Sequence, residues 1–568
     1  MLTVPPTPTP AKSVPTLRAE WRPVAGLTAW FAFVALAIVA WRDVPVIDDW
    51  TYAWSVEQLL AHGRLQVLDW SAVYPLGHAL WGAGWSLVLG FSFGALRLST
   101  LALGAVAAAA LYFLLRELGA APRLARFGAA VLAVNPAFVL LSSSFMTDVP
   151  FVAFTLLALL GYVRAVRRAD VRWVWWGGVW ACLSCLDRQV GVLTPIAALP
   201  LLISPAPGLR RPAVAVALVT TWLVMLAGAA GVAAAIGTTG EQRTLLAALG
   251  YLTSLPADRY LAYSLTVLTA VAFFALPALV VLSAASATWR RAALPIAVAA
   301  LATVMLAVNG EIPLPLRPGG TWTLLELGGP RQLVPGAWSA AAPPWIEHLL
   351  RAAGVVAFGL AVLAVGRRPA ALDAPSRPRP GAVAAALGDP RAPLLTYLAA
   401  YVVLVNVLWF FNDRYVLVLL PVLVALALGR ATVPTVGLRA GWALAAVYAV
   451  VAVVGTRDTL RFHEAVRDEW QALVDAGVPP GDIDAGYVWN GWMLYAHPQN
   501  LRPGEGRDSV PWITSRRRLP FTIAKAPLEG YDVARQVEWR GDAPWPGPDR
   551  LYVLRRREVP PPARRPAG

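Results

Sequence analysis

The sequence predicts an all-α polytopic membrane protein with a small C-terminal α/β domain outside the bilayer. Three observations predict it. The 568 residues are 58% hydrophobic and 14% charged, with a mean hydropathy of +0.57; soluble domains carry about 25% charged residues. Apolar runs long enough to cross the hydrocarbon, which takes about 20 helical residues, recur along the first four-fifths of the chain. Beyond residue 455 the composition turns charged, with spaced aromatics. The 25 Trp and 48 Pro fit the same class, since Trp favours the water–lipid interface and neighbouring spans repair the backbone bonds that Pro breaks.

Composition also excludes. The formal charge of +15 suggests nucleic acid, but the arginines are scattered over short connections and make no basic face. The two cysteines, Cys182 and Cys185, lie inside an apolar run, so a disulfide framework is excluded and helix packing is the simpler reading of their spacing.

Residues 1–23 read as a polar, Pro-rich cytoplasmic leader. The first span, about 24–41, is too long for a signal peptide and lacks a cleavage site, so it is expected to stay. Further runs lie near 97–115, 126–144, 149–163, 173–186, 190–203, 212–236, 261–286, 292–308, 349–365, 393–411, 415–429 and 439–455. Basic clusters fall on every second connection: 116–126, 164–172, 210–211, 290–291, 367–391 and 430–439. The positive-inside rule puts these in the cytoplasm and the connections 145–150, 187–189, 237–260, 310–348 and 412–414 outside. Residues 76–94 are apolar enough to span, but a crossing there would put the leader and the basic loop 116–126 on opposite sides. That segment is therefore expected in the outer interface, with Trp81 and Trp85 at headgroup depth. The count is then about 13 spans, with a rival of 14 and an outside leader. Residues 24–455 form the transmembrane module and 456–568 the outer domain. In the latter, 463–477 has helical spacing, 484–495 and 549–555 read as strands, and 559–568 as a disordered tail.

Candidate chemistry lies on the outer connections. The first, about 42–96, opens with Asp43 and then Asp48–Asp49–Trp50–Thr51–Tyr52. Charges at membrane level are costly unless solvated or functional. The pair reads either as a solvated turn or as a general base at the lipid–water boundary. Asp148, in Met146–Thr147–Asp148–Val149–Pro150, begins a span and serves helix capping and function equally well. Arg414, in the short turn Asn412–Asp413–Arg414–Tyr415, offers a guanidinium beside an aromatic ring and suits a phosphate; an interfacial anchor is the bland alternative. Asp187–Arg188–Gln189 is a similar turn. The loop 310–348, with Pro318–Gly319–Gly320 and Gly328–Gly329–Pro330, reads as a lid or as a plain connector.

The order of these stretches (Asp48–Tyr52, Tyr74–His78, Arg97–Thr100, Met146–Pro150, Arg414–Pro421) resembles the membrane glycosyltransferases of GT-C fold. It is most similar to the branch of protein O-mannosyltransferases, aminoarabinose transferases and related polyprenyl-phosphate sugar transferases. The resemblance implies a sugar donor on a polyprenyl phosphate, an extracytoplasmic hydroxyl acceptor on a lipid, glycan or protein, and a place in the bacterial inner membrane among membrane lipids. It implies Asp48 as the catalytic acid–base residue with Asp49 beside it, Arg414 on the donor phosphate, and Asp148, Tyr415 and Tyr52 in support. Where the family carries Lys before Pro, this chain has Tyr74–Pro75–Leu76, so Arg188 or His78 is expected to take the missing cation's place. No cofactor is implied; a divalent metal on Asp48, Asp49 and Asp148 is the less favoured scheme. A direct displacement needs one base and positive charge on the departing phosphate. The alternative function is a transporter or flippase for a lipid-linked glycan. Transporters place ionisable groups at mid-membrane, whereas charges here gather at the outer face.

Overall fold

The computed structural model describes residues 20–39, 42–71, 73–204, 206, 208–236, 267–268, 270–284, 356–357, 360, 388–407, 413–511, 518–539 and 549–557. The expected spans 292–308 and most of 349–365, the outer connections 237–260 and 310–348, nearly all of the leader and the tail 559–568 lie outside the described residues.

The described chain is helical up to residue 475. α1 (Trp21–Val34) continues as a π turn through Val39; α2 (Asp49–His62) and α3 (Leu76–Leu89) follow on the first connection. The bundle then runs α4 (Phe93–Leu118), α5 (Pro122–Ala133), α6 (Pro136–Ser142), α7 (Asp148–Arg168), α8 (Arg172–Asp187), a 3₁₀ helix Gln189–Ile203 and α9 (Arg211–Ile236). Later come α10 (Leu276–Ala284), α11 (Ala392–Val407), a 3₁₀ turn Asp413–Val416, α12 (Leu419–Leu428) and α13 (Thr435–Asp475). Five described helices are long and apolar enough to cross a membrane, or six with α5 and α6 taken as one span bent by 63°. The bend falls where Asn135 caps α6 through the Phe138 N–H and Pro136 opens it.

Small residues set the helix spacing. Gly161 of α7 and Gly177 of α8 face each other so closely that a Cβ on Gly161 would stand 2.9 Å from the Gly177 Cα, the close approach typical of membrane helices. Residues 190–203, expected as an α-helical span, form a 3₁₀ run instead, with Pro195 and Pro200 inside it. Each Pro removes an α-type donor; at about 2.0 Å per residue the 15-residue run still reaches ~30 Å. α3 has 14 residues, about 21 Å, short of a crossing. Its small and polar residues His78, Ala79, Gly82, Ala83 and Ser86 face inward, while Leu80, Trp81, Leu87 and Val88 are exposed.

Ion pairs sort the connections into two ends. Glu117, 2% exposed, is bound by Arg164 at 2.7 Å and Arg168 at 3.3 Å, and Asp389 holds Arg391 and Arg430, each at 3.0 Å. These join connections expected inside. At the other end Asp48 meets Arg414, and Asp148 meets Arg188.

α13 runs through the composition change at residue 455: one 41-residue helix joins the last apolar run to the helix expected over 463–477. Beyond it stands a four-stranded sheet in the order β1-β2-β4-β3. β1 (Ile483–Asp484) is parallel to β2 (Phe521–Ala524); β3 (Tyr531–Trp539) and β4 (Asp549–Arg556) run antiparallel. Phe462, Val466 and Trp470 of α13 pack with Trp489, Ile523, Trp539 and Val553 in its core. The strand expected over 484–495 is limited to its first residue. Asp484 Oδ1 accepts from Gly486 N and Asn490 Nδ2, and Asn490 Oδ1 accepts from Ala485 N. These local bonds compete with a ladder, and Gly486 takes φ +81°, so the chain turns into α14 (Gly486–Asn490) and a π turn, Gly491–Ala496. The 549–555 strand is present as β4; β2 and β3 were not among the expected strands, although Tyr531, Val533, Val537 and Trp539 of β3 alternate with polar residues.

Candidate functional site

Four chain segments expected on outer connections converge with α14. Asp48 is the residue before α2, held there by its own carbonyl, which accepts from Thr51 N at 3.0 Å and Thr51 Oγ1 at 2.8 Å. The residue ahead of it, Ile47, has φ +56°, a left-handed conformation that costs a β-branched residue about 1–2 kcal/mol. That backbone turn aims the Asp48 carboxylate out of the helix. Its Oδ2 accepts from Arg414 Nη1 at 3.2 Å and its Oδ1 from the Tyr487 hydroxyl at 2.6 Å. Tyr487 in turn accepts from Trp70 Nε1 at 2.7 Å. Asp48 and Arg414 are 366 positions apart, so only the fold brings them together.

A second pair sits beside the first. Asp148, at the start of α7, is bound through Oδ1 by Arg188. The Arg188 and Arg414 guanidiniums both lie 5.6 Å from the Tyr415 ring centroid, a cation–π distance. The Tyr415 carbonyl is fixed by the Tyr401 hydroxyl at 2.9 Å. Burial works against both guanidinium charges, but the Asp148 carboxylate foremost outweighs it, so both are held more firmly protonated than usual. Tyr52 lies in the field of all four charges; burial first, opposed by Arg414, pushes its hydroxyl up to about 12, so it stays a neutral hydrogen-bonding group. The cluster thus holds two carboxylates and two guanidiniums with four tyrosines, Tyr52, Tyr401, Tyr415 and Tyr487. A phosphate entering it would find two cations already gathered.

Asp49 needs correction as a substrate-facing acid. Its side chain is 0% exposed; Oδ1 accepts from Val46 N at 2.7 Å and Oδ2 from Phe145 N at 3.3 Å. Arg97 Nη2 stands 3.8 Å away and is itself tied to the carbonyls of Arg42 and Val44. Burial raises the Asp49 carboxyl to about 7, against the pull of Arg97 and of the two N–H groups. Asp49 braces the first connection against the α6–α7 turn. His78 likewise does not offer the cation expected of it. It is 1% exposed, stacks on Phe145 at 3.8 Å, and burial lowers it to about 4, so it is neutral at pH 7. Among the described residues no three His, Cys, Asp or Glu gather as a metal site, the less favoured Asp48–Asp49–Asp148 grouping included.

Tyr487 and Trp70 were not singled out by the sequence. Trp70 sat in a recognised loop, but Tyr487 lay in a segment read as strand, 439 residues from its carboxylate partner.

Residues 74–234 match the family model described as dolichyl-phosphate-mannose-protein mannosyltransferase. The matched stretch includes His78, Arg97, Asp148 and Arg188. Among solved structures the chain is similar to the S. cerevisiae protein O-mannosyltransferase Pmt1-Pmt2 complex bound to the sugar donor. There the identity is 21% over 38% of this chain and 33% of that one, with a TM-score of 0.32; this chain thus spans about a third of that relative. It is also similar to ArnT from Cupriavidus metallidurans bound to undecaprenyl phosphate, at 15% identity over 95% of this chain and 98% of that one, TM-score 0.38. The apo form of the same protein gives 14% identity over 95% and 98%, TM-score 0.38. No curated protein matches the chain. The resemblance to the mannosyltransferase branch, read above from short motifs, is borne out by the family match.

Proposed function

We propose that the chain is a membrane glycosyltransferase that moves a sugar from a polyprenyl-phosphate donor to a hydroxyl on a lipid, glycan or protein outside the cytoplasm of a bacterial cell. The observation that carries this reading is the meeting of Asp48 with Arg414 beside the Asp148–Arg188 pair. The family match over residues 74–234 supports the same class.

The chemistry follows from the charges. Arg414 and Arg188 take the donor phosphate, which draws Arg414 away from Asp48. Asp48 then accepts the proton of the acceptor hydroxyl as that oxygen bonds to the anomeric carbon. The bond from that carbon to the phosphate oxygen breaks, and polyprenyl phosphate leaves with its new negative charge facing two guanidiniums. One displacement without a covalent intermediate inverts the anomeric centre. Tyr487 orients Asp48 through its hydrogen bond, so the outer segment belongs to the working site. The direct scheme uses no cofactor or metal.

The test is transfer from undecaprenyl-phosphate sugars by the purified full chain, compared with Asp48→Asn. Transfer by wild type and its loss in the variant, with folding intact, supports the reading; normal transfer by Asp48→Asn sinks it. Lipid and glycan profiles of a deletion strain identify sugar and acceptor.

A further inference from the structure

Asp187 and His78 are the buried polar groups that the scheme above leaves unused. Asp187 ends α8 and is 0% exposed; His78 lies in the first turn of α3 and is 1% exposed. Neither carboxylate oxygen of Asp187 and neither ring nitrogen of His78 makes a well-aligned hydrogen bond among the described residues; the His78 backbone N–H near Asp187 and the Phe145 backbone near the His78 ring are their nearest polar neighbours. Buried polar atoms in folded proteins are nearly always paired, so four such atoms on two side chains need an explanation. Asp187 lies against the first turn of α3, from which His78 projects: a Cβ on Gly77 would stand 2.7 Å from Asp187 Oδ1, and the His78 backbone N–H acts on its carboxylate. They also adjoin the charged cluster. Arg188 follows Asp187 directly, and Asp148, whose charge acts on His78, has its own Oδ2 unpartnered.

The chemistry of the two groups differs from that of the arginines. Burial raises the Asp187 carboxyl well above its ordinary range, only partly opposed by the nearby His78 N–H and the Arg188 charge, and lowers His78 to about 4. Burial thus favours the uncharged form of both, and His78 is neutral at pH 7. A neutral carboxylic acid and a neutral imidazole each donate one hydrogen bond and accept others. A phosphate, which only accepts and carries charge, does not suit them. Sugar hydroxyls, which donate and accept, do.

We propose that Asp187 and His78 form a buried polar subsite that takes hydroxyl groups of the donor's sugar ring, next to the Arg188 and Arg414 guanidiniums that take its phosphate. The inference rests on the reading of that cluster as a sugar-phosphate site. It assigns discrimination among sugars to a place away from Asp48, because a site built to hydrogen-bond a hydroxyl rejects ligands that lack it. Gly77 keeps the room: any side chain there would push the Asp187 carboxylate aside.

The experiment measures binding of bare undecaprenyl phosphate, and of the same lipid phosphate bearing mannose, glucose or arabinose, to the full chain in nanodiscs. Wild type is expected to bind at least one sugar-bearing lipid about tenfold more tightly than the bare one, the scale of one or two hydrogen bonds. Asp187→Leu is expected to erase that gain and leave the bare lipid within about twofold. Gly77→Ala tests the same point without deleting a buried polar group, because the atom it displaces is the free end of a flexible side chain. The subsite is overturned if the sugar brings no gain in wild type, or if the gain survives in both variants. Failure of bare undecaprenyl phosphate to bind wild type would overturn the parent reading and the subsite with it.

Discussion

Asp48 keeps 26% of its side chain exposed, whereas Asp49, the next residue, keeps none. The difference separates their expected mutant behaviour. Asp48→Asn removes a base and little structure; transfer is expected to fall by roughly 10²–10⁴, with the melting temperature in detergent unchanged. Asp49→Ala leaves Arg97 buried without its carboxylate and two backbone N–H groups without an acceptor. Breaking a buried pair costs on the order of 3–5 kcal/mol, so this variant is expected to show a clear fall in melting temperature. Equal melting of the two variants would contradict the division. Tyr487→Phe deletes only the hydroxyl on Asp48. A hydrogen bond to a charged carboxylate contributes about 1.5–3 kcal/mol, so kcat is expected to fall roughly tenfold to a hundredfold with the KM for donor unmoved. A change confined to KM would place Tyr487 in binding instead of in positioning the carboxylate.

Between elements, the α14 segment is clamped onto α2. Gly491, at the head of the π turn, lies flat against the Trp50 indole; a Cβ there would come within 2.6 Å of Cζ2, and Trp50 is 0% exposed. Gly491→Ala overpacks this contact, a cost of about 1–3 kcal/mol, and tilts Tyr487 off Asp48. Both melting temperature and kcat are expected to drop, where Tyr487→Phe lowers kcat alone. A second clasp is His497, whose Nε2 lies 3.0 Å from Glu57 of α2. Burial lowers its affinity for a proton, but the Glu57 carboxylate and the Trp492 carbonyl outweigh that, and the net shift is upward. A histidine raised in the folded state stabilises fully below its unfolded value of about 6.5 and loses that contribution as pH rises through the folded value. Melting temperature is therefore expected to decline above neutrality, and Glu57→Gln to remove that decline. These clasps explain how far the sequence could be read. In an apolar chain an Asp48, Asp148, Arg188 or Arg414 stands out, because charge at that depth is costly and is spared only for cause. The helical spacing of 463–477 was equally plain. The partnership of Tyr487 with Asp48 was not: it depends on a short helix nucleated by Asp484 and Asn490 inside a stretch whose alternation suits a strand. Nor could the sequence tell that Asp49 turns inward and its neighbour outward, because that is set by one left-handed residue, Ile47.

Across the whole molecule, ionic contacts group the connections as the arginine distribution required. Glu117 with Arg164 and Arg168 ties two connections at one end, and Asp48 with Arg414 ties two at the other. The orientation we propose puts the Asp48 end and the sheet outside. A cysteine at exposed Glu529, with Cys182 and Cys185 replaced by Ser, is then expected to react with a membrane-impermeant maleimide in intact spheroplasts; protection until lysis would reverse the orientation. α13 adds a mechanical consequence. Its 41 residues make a rod of about 62 Å, of which the bilayer core occupies only ~30 Å. The half beyond it is not free: Leu460, Phe462, Val466 and Trp470 are buried and Glu464 pairs with Arg42, so the sheet and Tyr487 are carried on a rod held along its outer length by the first connection.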